Sequence, residues 1–455
     1  MLRSQFRWSI RVLAAGLLVL AFLEGCGSSD SSPPPTVCNT GASANSCCAG
    51  TNSATACPAE FPPCPQPTQP TLCTPAPAIA SAEKAGTPVD PAIVAADNNF
   101  GLSLLNTLLQ TRSGNTSISP LSVSLTLQII YNGAAGTTQQ AMAQTLQLGG
   151  LSTQQLNSDN AALQAALIDP QVELSIANSL WTNSSRYPVL PAFTQVNVTY
   201  YAAALGDLAG APDNVNAWAA TQTNGLITNI LPPGNYTNAT AAVIAGTVYF
   251  KGQWVSAFDP ALTAAAAFTL SDGTQTSVQM MNQAGSYAYF QGTNFQAVRL
   301  PYGKGRMSMF VVLPQAGTDL GAFVAGINAD TVDTWESQLQ MSTVRVGLPR
   351  FTTSFGASLQ DALTSLGMGI AFSERAADFS GIAPSTFLAG VQHATAVEVD
   401  ESGTTAAAAT TGTIGVTVVG PQFTMTMDRP FFYAIRDDKT GELLFVGVLA
   451  NPNAG

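Results

Sequence analysis

Histidine and cysteine are scarce beyond the N-terminal tail. His393 is the single histidine in 455 residues, and all 7 cysteines lie before residue 74. A zinc site among those cysteines would have no histidine ligand, and no paired short-spacing cysteine motif replaces it. Charge is sparse too: 9% of residues are charged, 16 basic against 27 acidic, for a net of -11. Phosphate binding needs clustered Lys and Arg. None occurs between Arg112 and Arg186, which argues against a nucleic-acid partner. Long apolar runs are missing as well. Val12 to Leu23 falls short of the roughly 18 residues that span a bilayer, and no other stretch is long and apolar enough. No metal and no cofactor is expected.

What is present is apolar. Hydrophobic residues make up 46% and the mean hydropathy is +0.20, so a sizeable core can be buried. The length suits one large domain with a tail, or two to three ordinary domains. Residues 1–26 read as a cleaved signal, with Arg3, Arg7 and Arg11 before the apolar run. The run closes on Leu23-Glu24-Gly25-Cys26, which resembles a bacterial lipoprotein signal whose lipidated cysteine becomes the N-terminus. Glu24 departs from that pattern, where a small residue is usual. The expected location is extracellular or cell-surface, as an outer-membrane lipoprotein held to the membrane only through lipid on Cys26.

Residues 27–90, rich in Ser, Pro, Thr and Ala, read as a stalk. Cys38, Cys47, Cys48, Cys57, Cys64 and Cys73 form an even set that suggests disulfides, with fifteen pairings open. A disordered linker with incidental cysteines is the competing reading. The folded domain is placed at 91–455, with helical periodicity setting in near Asp97. Phe100, Leu104, Leu105 and Leu108 mark an amphipathic helix. Ser119 can cap the next helix, and Pro120 suits its first position. Leu121, Val123, Leu125, Leu127, Ile129 and Ile130 surround that helix, which predicts burial on all sides. Strand-like runs follow at Val243 to Phe250, Met307 to Leu313, Val344 to Leu348, Phe431 to Ile435 and Leu443 to Leu449. Helices early and strands late, without regular alternation, predict an α+β domain.

Several segments then resemble serpins in order. They include the stretch from Asn115 to Thr138, Ala177-Asn178-Ser179-Leu180-Trp181 and Tyr249-Phe250-Lys251-Gly252-Gln253-Trp254. Leu300-Pro301-Tyr302, Ser308-Met309 and Leu313-Pro314 continue the match, as does Ala377-Asp378-Phe379-Ser380-Gly381-Ile382. The end is nearest: Glu398 to Thr404 before four alanines, then Asp428-Arg429-Pro430-Phe431 and Asn451-Pro452. The resemblance runs over about 97–453 and implies helices packed on three β-sheets with an exposed reactive-centre loop. It also implies a monomeric, non-enzymatic inhibitor of serine proteases.

Ser402 to Gly420 holds no charge, no proline and no side chain larger than one Ile and three Val. Composition alone fits a bland surface loop. It also fits a segment that can enter a sheet. Thr404, Ala406, Ala408, Thr410, Gly412, Ile414 and Val416 would line one face of an inserted strand. No proline interrupts the ladder. The resemblance implies that a protease cuts this loop, is held as an acyl-enzyme, and is dragged across the molecule as the loop inserts. The implied hinge is Glu401, Gly403, Thr404, Thr405, Ala406, Ala407, Ala408, Ala409 and Thr410. Counting from the hinge places the cleaved bond at Thr417-Val418; counting back from Pro430-Phe431 places it at Val416-Thr417. Either way the bait residue is small and β-branched, which points to elastase-like or subtilisin-like proteases. Lys and Arg are missing between Ser402 and Asp428, and the first aromatic is Phe423. Trypsin-like and chymotrypsin-like targets fit poorly.

His393, a lone histidine without a partner motif, reads as structural. The resemblance places it beneath the opening sheet near Ser119 and Ser122. Its usual asparagine partner would fall at Gly246, a departure, and Thr405 stands where Glu is usual. Two other classes compete. A non-inhibitory serpin would serve as a carrier or surface structural protein, but such members carry bulky, charged or proline residues in the hinge. Serine β-lactamase signatures are also literally present in Ser81-Ala82-Glu83-Lys84, Ser158-Asp159-Asn160 and Lys439-Thr440-Gly441. Ser81 lies in a Pro/Ala linker without the rigid helix that a nucleophile needs.

Overall fold

A computed structural model describes residues 88–234, 240–404 and 421–454. The first helix starts earlier than its apolar periodicity suggests. Asp90 accepts the Ala92 N–H and Pro91 fills the first turn, so α1 runs Pro91–Leu109 and Asp97 lies buried within it. Strand β1 (Thr116–Ile118) leads to α2 (Pro120–Tyr131), capped by Ser119 as expected. Every residue of α2 is buried, the outcome predicted for a helix apolar all round.

Helices α3 (Gly136–Thr145) and α4 (Thr153–Ala166) precede β2 (Glu173–Thr182). Next come α5 (Pro191–Tyr201), β3 (Ala204–Asp207), α6 (Asp213–Gln222) and β4 (Ala242–Gln253). The strand-rich middle holds β5 (Ala264–Thr269), β6 (Gln275–Gln291), β7 (Phe295–Tyr302) and β8 (Met307–Pro314). Short helices α7 (Leu320–Ala325) and α8 (Ala329–Gln338) lead to β9 (Gln340–Pro349) and β10 (Phe351–Ser358). After α9 (Gln360–Leu363) come β11 (Gln392–Val399), β12 (Gly403–Thr404), β13 (Phe423–Thr426), β14 (Phe431–Asp437) and β15 (Leu443–Leu449).

The α+β expectation holds, with one correction to the sheet count. Among the described residues the strands join into two sheets instead of three. The cause is the 17-residue β6: its first half pairs β5, its second half pairs β7, and β9 runs beside it from Met280 to Tyr289. One sheet therefore passes into the next without a break, in the order β1-β15-β14-β8-β7-β6-β9-β13 with β5 off the path. The other sheet has the order β10-β11-β12-β4-β2-β3.

The second sheet positions the site. Its strands are buried at alternate residues, His393, Thr395, Val397 and Val399 on β11 and Phe351, Thr353, Phe355 and Ala357 on β10. The buried side belongs to the main core, which includes Leu121, Leu125 and Ile129 of α2. Another apolar cluster, with Trp181, Val215, Trp218 and Ala245, packs α6 against β2 and β4.

Candidate functional site

Gly403 and Thr404 form a two-residue strand antiparallel to both neighbours. Gly403 pairs with Gln253 and Thr404 with Gly252 on β4, while Thr404 also pairs with Val399 on β11. Among the described residues no ladder joins β11 to β4 directly, so these two residues link the halves of the sheet.

The approach is close enough to require glycine. A Cβ on Gly403 would overlap the Gly252 carbonyl oxygen, and its φ of +156° suits glycine best. Asp400 holds the preceding turn: its Oδ1 accepts the N–H groups of Ser402 (2.8 Å) and Gly403 (3.2 Å). The carbonyls of Glu401 and Ser402 accept from Phe258 and Trp254, at 2.8 and 2.9 Å. Trp254 Nε1 donates to the Asp400 carbonyl at 2.9 Å.

Thr404 points inward and is 1% exposed. Its Oγ1 lies 2.6 Å from the Tyr302 hydroxyl. Tyr302 in turn stacks on Trp254, with ring centroids 4.4 Å apart, and meets Phe250 edge-on at 5.0 Å. Burial pushes the Tyr302 phenol well above its ordinary range, so it is a neutral O–H.

Glu401 is anchored sideways. Arg350 Nη2 reaches both carboxylate oxygens at 2.6 Å, and the Thr263 hydroxyl donates to Oε1 at 2.7 Å. Burial alone would raise this carboxyl, but these donors and the guanidinium charge outweigh burial and hold it below its usual range.

His393 and Ser119 meet as the resemblance implied. The Ser119 N–H donates to His393 Nε2 at 3.1 Å, and Thr395 Oγ1 donates to the Ser117 carbonyl at 2.8 Å. Burial pushes the imidazole down to about 4, so it is neutral and works as an acceptor. Gly246 is explained by what lies against it. An added Cβ would overlap the hydroxyl of Thr126, which donates to the Ser122 carbonyl at 2.8 Å. Thr126 thus fills the space an asparagine would take, and Ser122 meets β4 through it.

Thr405, Ala406, Ala407, Ala408, Ala409, Thr410, Val416, Thr417, Val418 and Cys26 lie outside the described residues. Among the described residues no group of His, Cys, Asp and Glu is arranged to hold a metal. None of their helices is long and apolar enough to cross a membrane. Of the β-lactamase tripeptides, Ser158-Asp159-Asn160 lies on α4, and Lys439-Thr440-Gly441 turns between β14 and β15 with Thr440 bonded to Asp437, while Ser81 lies outside the described residues. Arg350 and Thr263 escaped the sequence reading, because neither stands near Glu401 in the chain. Tyr302 was legible as part of a motif but carried no role.

Comparison with known proteins agrees with this geometry. The family model "Serpin (serine protease inhibitor)" matches residues 95–452. The leukocyte elastase inhibitor of Bos taurus is 32% identical over 379 residues, covering 79% of this chain and 99% of that one. The thermophilic serpin tengpin in its native state superposes with a TM-score of 0.75 at 26% identity, covering 80% of this chain and 95% of its own. Human thyroxine-binding globulin, solved as a ligand complex, gives a TM-score of 0.70 at 25% identity, covering 79% of this chain and 98% of its own. The chain belongs to the serpin family.

Proposed function

We propose that this chain inhibits serine proteases as a suicide substrate, trapping enzymes whose specificity pockets accept small or aliphatic residues. The observation that carries the reading is the lie of Gly403 and Thr404 between β4 and β11, with the Thr404 side chain already on the buried face. Continuing that register would send Ala406, Ala408 and Thr410 to the same face, with neither charge nor bulk to obstruct them.

Cleavage of the loop frees its N-terminal part to extend this start into a full central strand. About a dozen new ladder bonds at roughly 1 kcal/mol net each would contribute on the order of 10 kcal/mol. That is comparable with the whole stability of an ordinary domain, about 5–15 kcal/mol. The uncut fold is then a kinetic trap, and insertion is the step that carries the acylated protease away. The leukocyte elastase inhibitor among the relatives is in keeping with a β-branched bait residue at Thr417, or at Val416 one bond earlier. The signal, the lipid on Cys26 and a cell-surface location belong to the same reading, as does action as a monomer.

A carrier role is the second reading, motivated by the resemblance to thyroxine-binding globulin. The small, uncharged hinge opposes it. The test is incubation with elastase-like, subtilisin-like and trypsin-like proteases, followed by denaturing gels and mass spectrometry. A covalent complex with either of the first two classes, cut at Thr417-Val418 or Val416-Thr417, supports inhibition. Thr404→Arg should then yield cleaved protein with little complex, because the arginine would have to occupy a buried position. Clean loop cleavage that leaves every protease active would reject the inhibitor reading and favour the carrier.

A further inference from the structure

Two carboxyls deep in the core form no ion pair with a base among the described residues. Asp97 in α1 and Glu442, just before β15, are both 0% exposed. Asn98 fixes their approach: its Oδ1 accepts the Leu443 N–H and its Nδ2 donates to the Gly441 carbonyl, each at 2.9 Å. The residue beside Asp97 thus grips both neighbours of Glu442.

Hydrogen bonding around them is short of donors. Asp97 Oδ1 accepts from Gln128 Nε2 at 2.8 Å. Asp97 Oδ2, Gln128 Oε1 and both Glu442 oxygens are buried without a partner. The Ser124 hydroxyl faces Asp97, and it too is without a formed bond. Four orphan oxygens that can only accept call for hydrogens that the neutral neighbours do not supply.

The surrounding charges do not help. Asp437 on β14 adds a third carboxylate, and Arg306 is engaged with it at 2.7 and 3.2 Å. Arg306 also donates to the carbonyls of Ala166 and Ile168. Arg436, on the same strand, lies beside Glu336 and Asp438 at 3.8 and 3.5 Å. Tyr201 of α5 is a neutral phenol, pushed well above its ordinary range by burial. Two ionised carboxylates in such a place would be strongly destabilising, whereas a protonated carboxyl supplies the missing donor.

We propose that Asp97 and Glu442 form a proton-holding carboxyl pair at neutral pH, whose ionisation loosens the seat of α1 and α2 on the β14–β15 hairpin. Desolvation pushes Asp97 up to about 7 and Glu442 well above its ordinary range, the latter helped by the Asp97 and Asp437 charges. Folded values above unfolded ones mean that the stability is intact below the ordinary carboxylate range and is lost as pH rises through the folded values. Since α2 also carries Ser122 and follows directly from Ser119, loosening on this side reaches the His393 contact on the other. The inference holds whatever protease the loop serves.

The test is unfolding of the full chain against pH, for the wild type and for Glu442→Gln and Asp97→Asn. The wild-type unfolding rate should rise about tenfold or more as pH climbs from the ordinary carboxylate range, about 4, through about 7, and either amide variant should flatten that rise. Infrared spectra of the wild type should show a protonated-carboxyl C=O band at neutral pH that fades as pH rises past the folded values, about 7 for Asp97. That measurement decides the matter should both variants fail to fold. A wild-type profile shared by Glu442→Gln, or no such band, would overturn the proposal. So would calcium stabilising the wild type but not Glu442→Gln at high pH, which would make this a cation site instead.

Discussion

The hydroxyls of Tyr302 and Thr404 lie 2.6 Å apart where neither residue is more than 1% exposed, which ties the start of the loop to the core. One bond there serves two purposes. It satisfies both buried hydroxyls and fixes which face of the hinge looks inward. Removing either partner alone leaves the other hydroxyl unpaired, at a cost of about 1–3 kcal/mol. Tyr302→Phe and Thr404→Val should each lower stability by that order, and the double variant should lose clearly less than the sum. Equilibrium or kinetic unfolding of all four proteins measures the coupling; strict additivity would show that the two hydroxyls do not interact.

Gly403 is the backbone counterpart of that contact. Because an added Cβ would overlap the Gly252 carbonyl, Gly403→Ala must push the strand away from β4. A hinge that enters the sheet late allows the acyl-enzyme to be hydrolysed before it is trapped. The variant should therefore shift the products toward cleaved protein, with the stoichiometry of inhibition rising several-fold. Gel densitometry of complex against cleaved band reads this directly, and an unchanged ratio would mean that the strand accommodates the methyl group.

Much of this site was legible in the sequence, and what was not has a common cause. Pro120, the all-round apolar helix and the alternating strands are local signals, so the core elements appear where composition puts them. The small, proline-free hinge was equally plain, and Thr404 does face inward. Arg350 and Thr263 were invisible because their partner, Glu401, stands 51 and 138 residues away in the chain. Gly246 is a departure in the sequence whose cause lies far away in the chain, in Thr126, which occupies the space against it. The joined sheets escaped notice because β6 alternates weakly, with Gly285 and Ser286 at its middle. The early start of α1 was missed because its signal is a cap, Asp90-Pro91, ahead of any large apolar periodicity.

His393 sets an acid limit on stability. Its folded value of about 4 lies below the ordinary 6.5, so the unfolded chain takes up a proton first as pH falls. Stability contributed by the neutral ring is present above 6.5 and is lost down to about 4, by roughly 3 kcal/mol in total. This slope opposes that of Asp97 and Glu442, which lose stability as pH rises. His393→Gln keeps an acceptor for the Ser119 N–H while abolishing titration. Relative to wild type it should gain roughly 3 kcal/mol as pH falls from 6.5 to about 4, leaving the opposing carboxyl slope exposed; a difference from wild type that does not vary with pH would assign the acid response to other groups.

Glu401 and Arg350 offer the clearest separation of hinge anchoring from loop chemistry. The Arg350 guanidinium is half exposed, so the pair adds little to global stability, but its two 2.6 Å contacts fix the residue from which the loop departs. Arg350→Gln should leave thermal stability within about 1 kcal/mol of wild type. It leaves the Glu401 side chain held by the Thr263 hydroxyl alone and should loosen the departure of the loop. With the anchor gone, the point at which insertion starts becomes less defined, and the rate of insertion after cleavage should fall while the rate of the initial cut stays the same. Rapid-mixing fluorescence with a reporter on the loop separates the two rates. Equal slowing of both would mean that Arg350 acts on protease docking instead of insertion.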